Sequence, residues 1–157
     1  MWYVASSNFA TVDALLEHSQ SEGFVAQVER WGRDEVRFGL RYMASELNRH
    51  FFHLWNWTQV LLIAVATSLI FSNKQNDFRD KLLVGTLAAL IILMAAWLSP
   101  TMVNLGRTLD YLPRDPAPPD LASFQKLHGL FVILDGTKLG LIVLMAVRVA
   151  RKPEVDP

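Results

Sequence analysis

Cysteine is absent from these 157 residues. That excludes a disulfide framework, a thiolate metal site and a cysteine nucleophile. Net charge is missing too: fifteen Lys and Arg balance fifteen Asp and Glu. The balance argues against a nucleic-acid partner. No Gly-rich phosphate loop, Gly-x-Ser-x-Gly elbow or His-Glu-x-x-His helix occurs, so soluble-enzyme chemistry has no visible seat. The expectation is a chain that is not an enzyme. No cleavable signal peptide is visible either, because Trp2–Ala10 lacks a basic n-region and a long apolar h-region. Charge is scarce, at 19% of residues, and the mean hydropathy is positive. The length suits one domain rather than two.

What is present is apolar and unevenly placed. Residues 1–50 are mixed and read as an amphipathic helical arm, interfacial or partner-bound. Thr11 is placed to N-cap a short helix bearing Val12, Leu15 and Leu16, which Gly23 interrupts. A second helical pattern runs from about Phe24 to Asn48, with Val25, Val28, Val36, Leu40, Met43 and Leu47 on one face. Arg30, Arg33, Arg37 and Arg41 share another face. That face suits anionic lipid or an acidic partner. Alternatively it is solvated, with Glu29–Arg33 and Arg30–Asp34 as exposed pairs.

Residues 51–152 read as a three-helix membrane domain, and 153–157 as a tail. The first span, Phe51–Phe71, has 21 residues without Asp, Glu, Lys or Arg. That matches a hydrocarbon core of about 30 Å. Its first third is wet, with His53, Trp55, Asn56, Trp57 and Gln59. Ser72–Lys81 reads as a polar connection. The second span runs from Leu82 to about Leu105, with Pro100 expected to kink it. Pro113–Pro119 is a stiff connector, after which Asp120 or Ser123 is placed to cap the last helix. The third span is Leu127–Ala150. Eight Lys and Arg on the N-terminal side against six on the other favour a cytoplasmic N-terminus. The fold class expected is all-α and integral to a membrane, a bacterial cytoplasmic one: three transmembrane helices behind an amphipathic arm.

The third span carries Asp135 and Lys138, three residues apart and so on one helix face. They lie about 12 and 16 Å below its start. Insertion costs about 2.5–3.5 kcal/mol for each such charge at a helix centre, and each Leu, Ile, Val or Phe returns about 0.3–0.6. With thirteen of the latter in the span, the sums nearly cancel. This face therefore needs protein against it. Gly136 and Gly140 stand beside the pair as a small-xxx-small motif that permits close helix approach. One reading is a proton or ion relay, as in an oligomeric transporter. The reading preferred is an intramembrane ion pair that locks helix packing.

By topology His50, His53, Asn56, Gln59, Asn104, Arg107 and His128 gather near one interface. His53 and His128, on different helices, are placed to hold a haem b, and Asn56, Gln59 and Arg107 offer donors to a quinone. The expectation nonetheless is a structural polar rim without a cofactor, with a bound pigment or lipid as a further option. Catalytic zinc would need three ligands and a defined second shell, so no metal is expected.

Trp97-Leu98-x-Pro100 and Phe124-x-x-x-His128-Gly129-Leu130, with Asp135 seven residues after His128, resemble the transmembrane protein 205-like family. The likeness covers roughly Phe51–Ala150. Members typically show a span ending in a similar Pro, then a connector, then a Phe…His-Gly-Leu-Ser…Asn signature opening the last span. Phe131 stands where the family often has Ser, and Asp135 where it has Asn. Members usually have a further, first span; here the charged amphipathic segment takes its place. The resemblance implies the helical membrane fold and no reaction, because the family's activity is not established. It makes Lys138 this chain's own compensation for Asp135. The function expected is a non-catalytic subunit of a larger membrane complex, respiratory or photosynthetic, with other membrane subunits and lipids as partners.

Overall fold

A computed structural model describes residues 2–112 and 116–151. Residues 113–115 of the proline connector, Lys152 and the 153–157 tail lie outside the described residues. Among the described residues the elements are all helical: α1 (Trp2–His18), α2 (Glu22–Trp31), α3 (Arg33–Ser72), α4 (Phe78–Leu93), a π-turn (Met94–Leu98), α5 (Ser99–Thr108) and α6 (Pro119–Ala150). Three helical stretches are long and apolar enough to cross a membrane: Arg33–Ser72, Phe78–Thr108 and Pro119–Ala150.

Several boundaries differ from the sequence expectations, each for a local reason. Thr11 does not cap a helix; α1 runs through it, and its hydroxyl bonds back to the Ser7 carbonyl at 2.9 Å. A Thr inside a helix satisfies its hydroxyl in this way. Ser21 is the N-cap of α2, accepting from the Phe24 N–H. The Phe24–Asn48 pattern is two helices, because Gly32 breaks it at φ +91°, a conformation side chains rarely adopt. The break separates Glu29 from Arg33 and Arg30 from Asp34, so neither expected pair has its helical register. Arm and first span, by contrast, share α3. Its 40 residues are about 60 Å long, twice a hydrocarbon core. If its apolar end spans a bilayer, about half of α3 lies outside the hydrocarbon.

The connection after α3 shrinks to five residues, 73–77, because Asp77 caps α4. The Asp77 carboxylate accepts from the Asp80 N–H, and the Asp80 carboxylate accepts from the Asp77 N–H, a capping box. Pro100 does not stop the next stretch. The Ser99 N–H reaches back five residues to the Met94 carbonyl. This wider turn absorbs the donor that Pro100 lacks. The Ser99 hydroxyl there is buried without a hydrogen-bond partner. α6 starts at Pro119, ahead of both expected caps. Proline suits a first helical position, where its missing N–H would be unbonded anyway.

The chain divides into two compact units. The first holds residues through Trp55 together with Leu109–Pro118. In it α1 pairs antiparallel with the first half of α3. Val12 and Ala44 are buried, and Asn8 donates to Asn48 at 2.7 Å. Arg49 donates to Asp110 at 2.7 and 2.8 Å and to Glu46 at 2.6 Å. Tyr111, in a left-handed conformation at φ 60°, packs its ring 5.1 Å from that of Tyr42. The arm thus has a small core of its own, made partly from a segment that begins with Leu109.

The second unit holds Asn56–Thr108 and the chain from Pro119 on. Ile63 and Ile70 of α3 pack with Val84, Leu87 and Ile91 of α4, and Leu141 and Met145 of α6 close over them. Further along, Met94, Leu98 and Met102 are buried on one side of the π-turn, and Phe131 is buried on α6. The core is a single apolar seam, and the outer helix faces are left apolar and exposed. That pattern suits a bilayer, where the surrounding medium is as apolar as the core.

Candidate functional site

Lys138 is the one buried cation among the described residues: its side chain is 4% exposed, against 49% for Asp135. Its ammonium touches the Asp135 carboxylate at 2.7 Å and donates to the Gln59 amide oxygen at 2.5 Å. α3 and α6 position these groups. Gln59 lies eight residues into the apolar part of α3, about 12 Å from Phe51. The sequence grouping had it at the rim, and the structure brings it to Lys138. It stands at the depth of the charged pair and is the polar partner that Lys138 reaches across helices.

The two charges part company at the surface of α6. Lys138 turns inward, one heptad from buried Phe131. Asp135 stays at the edge of the helix. Gly136 and Gly140 are exposed, and a Cβ added to either would meet nothing within 4 Å. Close approach by a helix of this chain is therefore not what these glycines serve.

The other rim residues are divided between the two units. His53 is exposed and belongs to the first unit, whereas His128 belongs to the second and stacks on Phe124 with ring centroids 6.2 Å apart. Asn56 is buried one turn before Gln59, and Arg107 is exposed near the end of α5. No group of three His, Asp or Glu side chains is arranged to hold a metal ion among the described residues.

The arginine face is largely turned onto α1. Arg37 and Arg41 both clamp Asp13 at 2.9 Å, and Arg33 approaches Glu17 at 3.9 Å. Arg30 is exposed on α2. Hydrogen bonds from Arg41 and then Arg37 hold the Asp13 carboxyl below its ordinary value. A depressed folded value stabilises docking above the unfolded value of about 3.9 and loses it as pH falls through the folded one. Docking of α1 is thus expected to persist at pH 5 and to release only in stronger acid. Asp13→Asn should release it at neutral pH, and high salt should weaken it because the clamp is exposed. Amide exchange across Trp2–His18 reads this directly. Unchanged protection in Asp13→Asn would mean that Val12 and Asn8 suffice.

Sequence reasoning missed one further cluster. Arg148, at the end of α6, reaches Asp80 at 3.0 Å and Asp77 at 3.1 Å. The signal was available: the start of the second span and the end of the third share a membrane side by topology. Comparison with known proteins finds no matching family model, no matching curated protein and no matching solved structure.

Proposed function

We propose that this chain is a non-catalytic integral membrane subunit that scaffolds or stabilises a larger complex, in a bacterial cytoplasmic membrane. The host favoured is an energy-transducing complex, respiratory or photosynthetic. One observation carries the reading: Asp135 leaves 49% of its side chain exposed on a helix whose apolar stretch is long enough to span. A carboxylate at that depth is costly against lipid and is normally turned toward protein. The chain's own helices cover Lys138 and leave Asp135 uncovered. Beside it, Gly136 and Gly140 are open for the close approach of a foreign helix. The engagement of Lys138 with Gln59 and Asp135 favours packing over ion relay, since two of its three donors are already used.

The test is extraction of native membranes in a mild detergent, followed by sizing and identification of what accompanies the chain. The expected result is a stoichiometric set of other membrane subunits, lost when Asp135→Leu and Gly136→Leu are combined. A chain that runs alone, or only with copies of itself, ends the proposal.

A further inference from the structure

The apolar face of the first half of α3 is covered by the chain only in part. α1 sits on the side of Arg37, Arg41, Ala44 and Asn48. Val36, Leu40, Met43, Leu47, His50 and Leu54 lie on a different side, at alternating spacings of four and three residues. Val36 and Leu40 are half-buried, whereas Met43, Leu47 and Leu54 are 60%, 50% and 56% exposed, and His50 is exposed as well. Apolar exposure is ordinary where lipid surrounds a helix. Met43 and Leu47, however, lie on the arm side of Arg49, in the half of α3 that the hydrocarbon has no room for. Water faces them unless protein does.

We propose that two copies of this chain pair in parallel along this seam of α3 as a left-handed coiled coil. A 3.5-residue repeat, apolar here except at His50, is the spacing at which two helices keep one seam in contact. The seam carries no Asp, Glu, Lys or Arg, so a second copy brings no like charge against it. The flanking Glu46 would face Phe51 of the other copy, with no like charge, while Ala44 on the other flank stays covered by α1. Copies inserted in one membrane share an orientation, which makes the pairing parallel and in register. His50 then meets its own copy. One polar seam residue fixes register at some cost in stability. The inference uses the membrane reading of α3 but not the scaffold reading, which concerns a different helix.

The chain has no cysteine, so single cysteines report contacts cleanly. Met43→Cys and Leu47→Cys are placed on the seam, and Phe38→Cys is placed on the opposite side of α3, each in the full chain in native membranes. Oxidation should give a product of twice 17.8 kDa at both seam positions, several-fold above Phe38→Cys. Equal yields at all three, no dimer at the seam, or a seam product with a different protein would each overturn the proposal. Leu47→Glu should raise the dimer dissociation constant roughly tenfold or more in detergent sedimentation, with its far-UV helix signal intact. An unchanged constant would also overturn it. Dimers without foreign subunits would leave this pairing standing and remove the scaffold reading. Foreign subunits without seam cross-links would do the reverse.

Discussion

Asp135→Leu alone is expected to destabilise the second unit by about 3–5 kcal/mol, the cost of leaving a buried charge without its partner. Lys138 is the charge left behind: its side chain is 4% exposed and it would keep only the Gln59 amide. Lys138→Leu leaves the opposite problem, a half-exposed carboxylate without its cation, which costs about 2.5–3.5 kcal/mol at the centre of a membrane span. The double variant removes both charges and should cost far less than the sum. What remains is a Gln59 amide without its ammonium, worth about 1–3 kcal/mol. Adding Gln59→Leu should bring the unit back to the starting stability or above it, since replacing a buried ion pair by packed apolar groups is often neutral or stabilising by about 1–4 kcal/mol. Reversible unfolding in mixed micelles, followed by far-UV circular dichroism, gives the four values. An Asp135→Leu variant as stable as the parent would show that the ammonium does not depend on this carboxylate. The triple variant is informative in a second way. If the charged pair serves assembly, that protein should be stable and unassembled.

The membrane-compatible helices were legible because length and apolarity are properties of a run of residues. Phe51–Phe71 and Leu127–Ala150 lie wholly within helices of the structure. Their ends were less legible, since a helix continues past its apolar part wherever nothing breaks it. Arg33–His50 continues into the first span because no Gly in an unfavourable conformation or Pro intervenes, whereas Gly32 does intervene just before. The proline at position 100 reads as a kink, and a π-turn lies just before it while helix continues through it. The charged pair was legible as a cost, and its third member was hidden by grouping Gln59 with its neighbours in sequence instead of by depth. Arm packing was the least legible. An apolar face and an arginine face both offered α1 a surface, and Asp13 lies where its carboxylate meets two guanidinium groups at once. That choice left part of the apolar face outward, a result that no count of hydrophobic residues would give.

At the opposite end of the second unit, Asp80→Ala is expected to cost about 1.5–3 kcal/mol, the range for losing a hydrogen bond to a charged group. Asp80 is fully buried, and each carboxylate oxygen has a donor: Arg148 Nε at 3.0 Å and the Asp77 N–H at 3.3 Å. The larger penalty of a stranded buried charge does not apply, because Arg148 is 30% exposed and rehydrates. Asp77→Ala should cost less, about 1 kcal/mol, the usual loss for an N-cap, since its carboxylate is already exposed to solvent. Asp80→Asn separates the two roles of the residue. It keeps an acceptor for the capping box and removes the charge facing Arg148. Arg148→Lys should fail to substitute, because the clamp uses Nε on one carboxylate and Nη2 on the other, a fork that a single ammonium cannot reproduce. The clamp also places acid at the start of α4 and base at the end of α6, where each helix dipole favours it. It closes the bundle at the end away from Lys138, so the two sites share no partner and their effects should add within about 0.3–0.5 kcal/mol. Coupling beyond that between Asp80→Ala and Asp135→Leu would mean that α6 moves as a rigid rod between its two polar anchors, and the bundle would then have to be treated as one cooperative element.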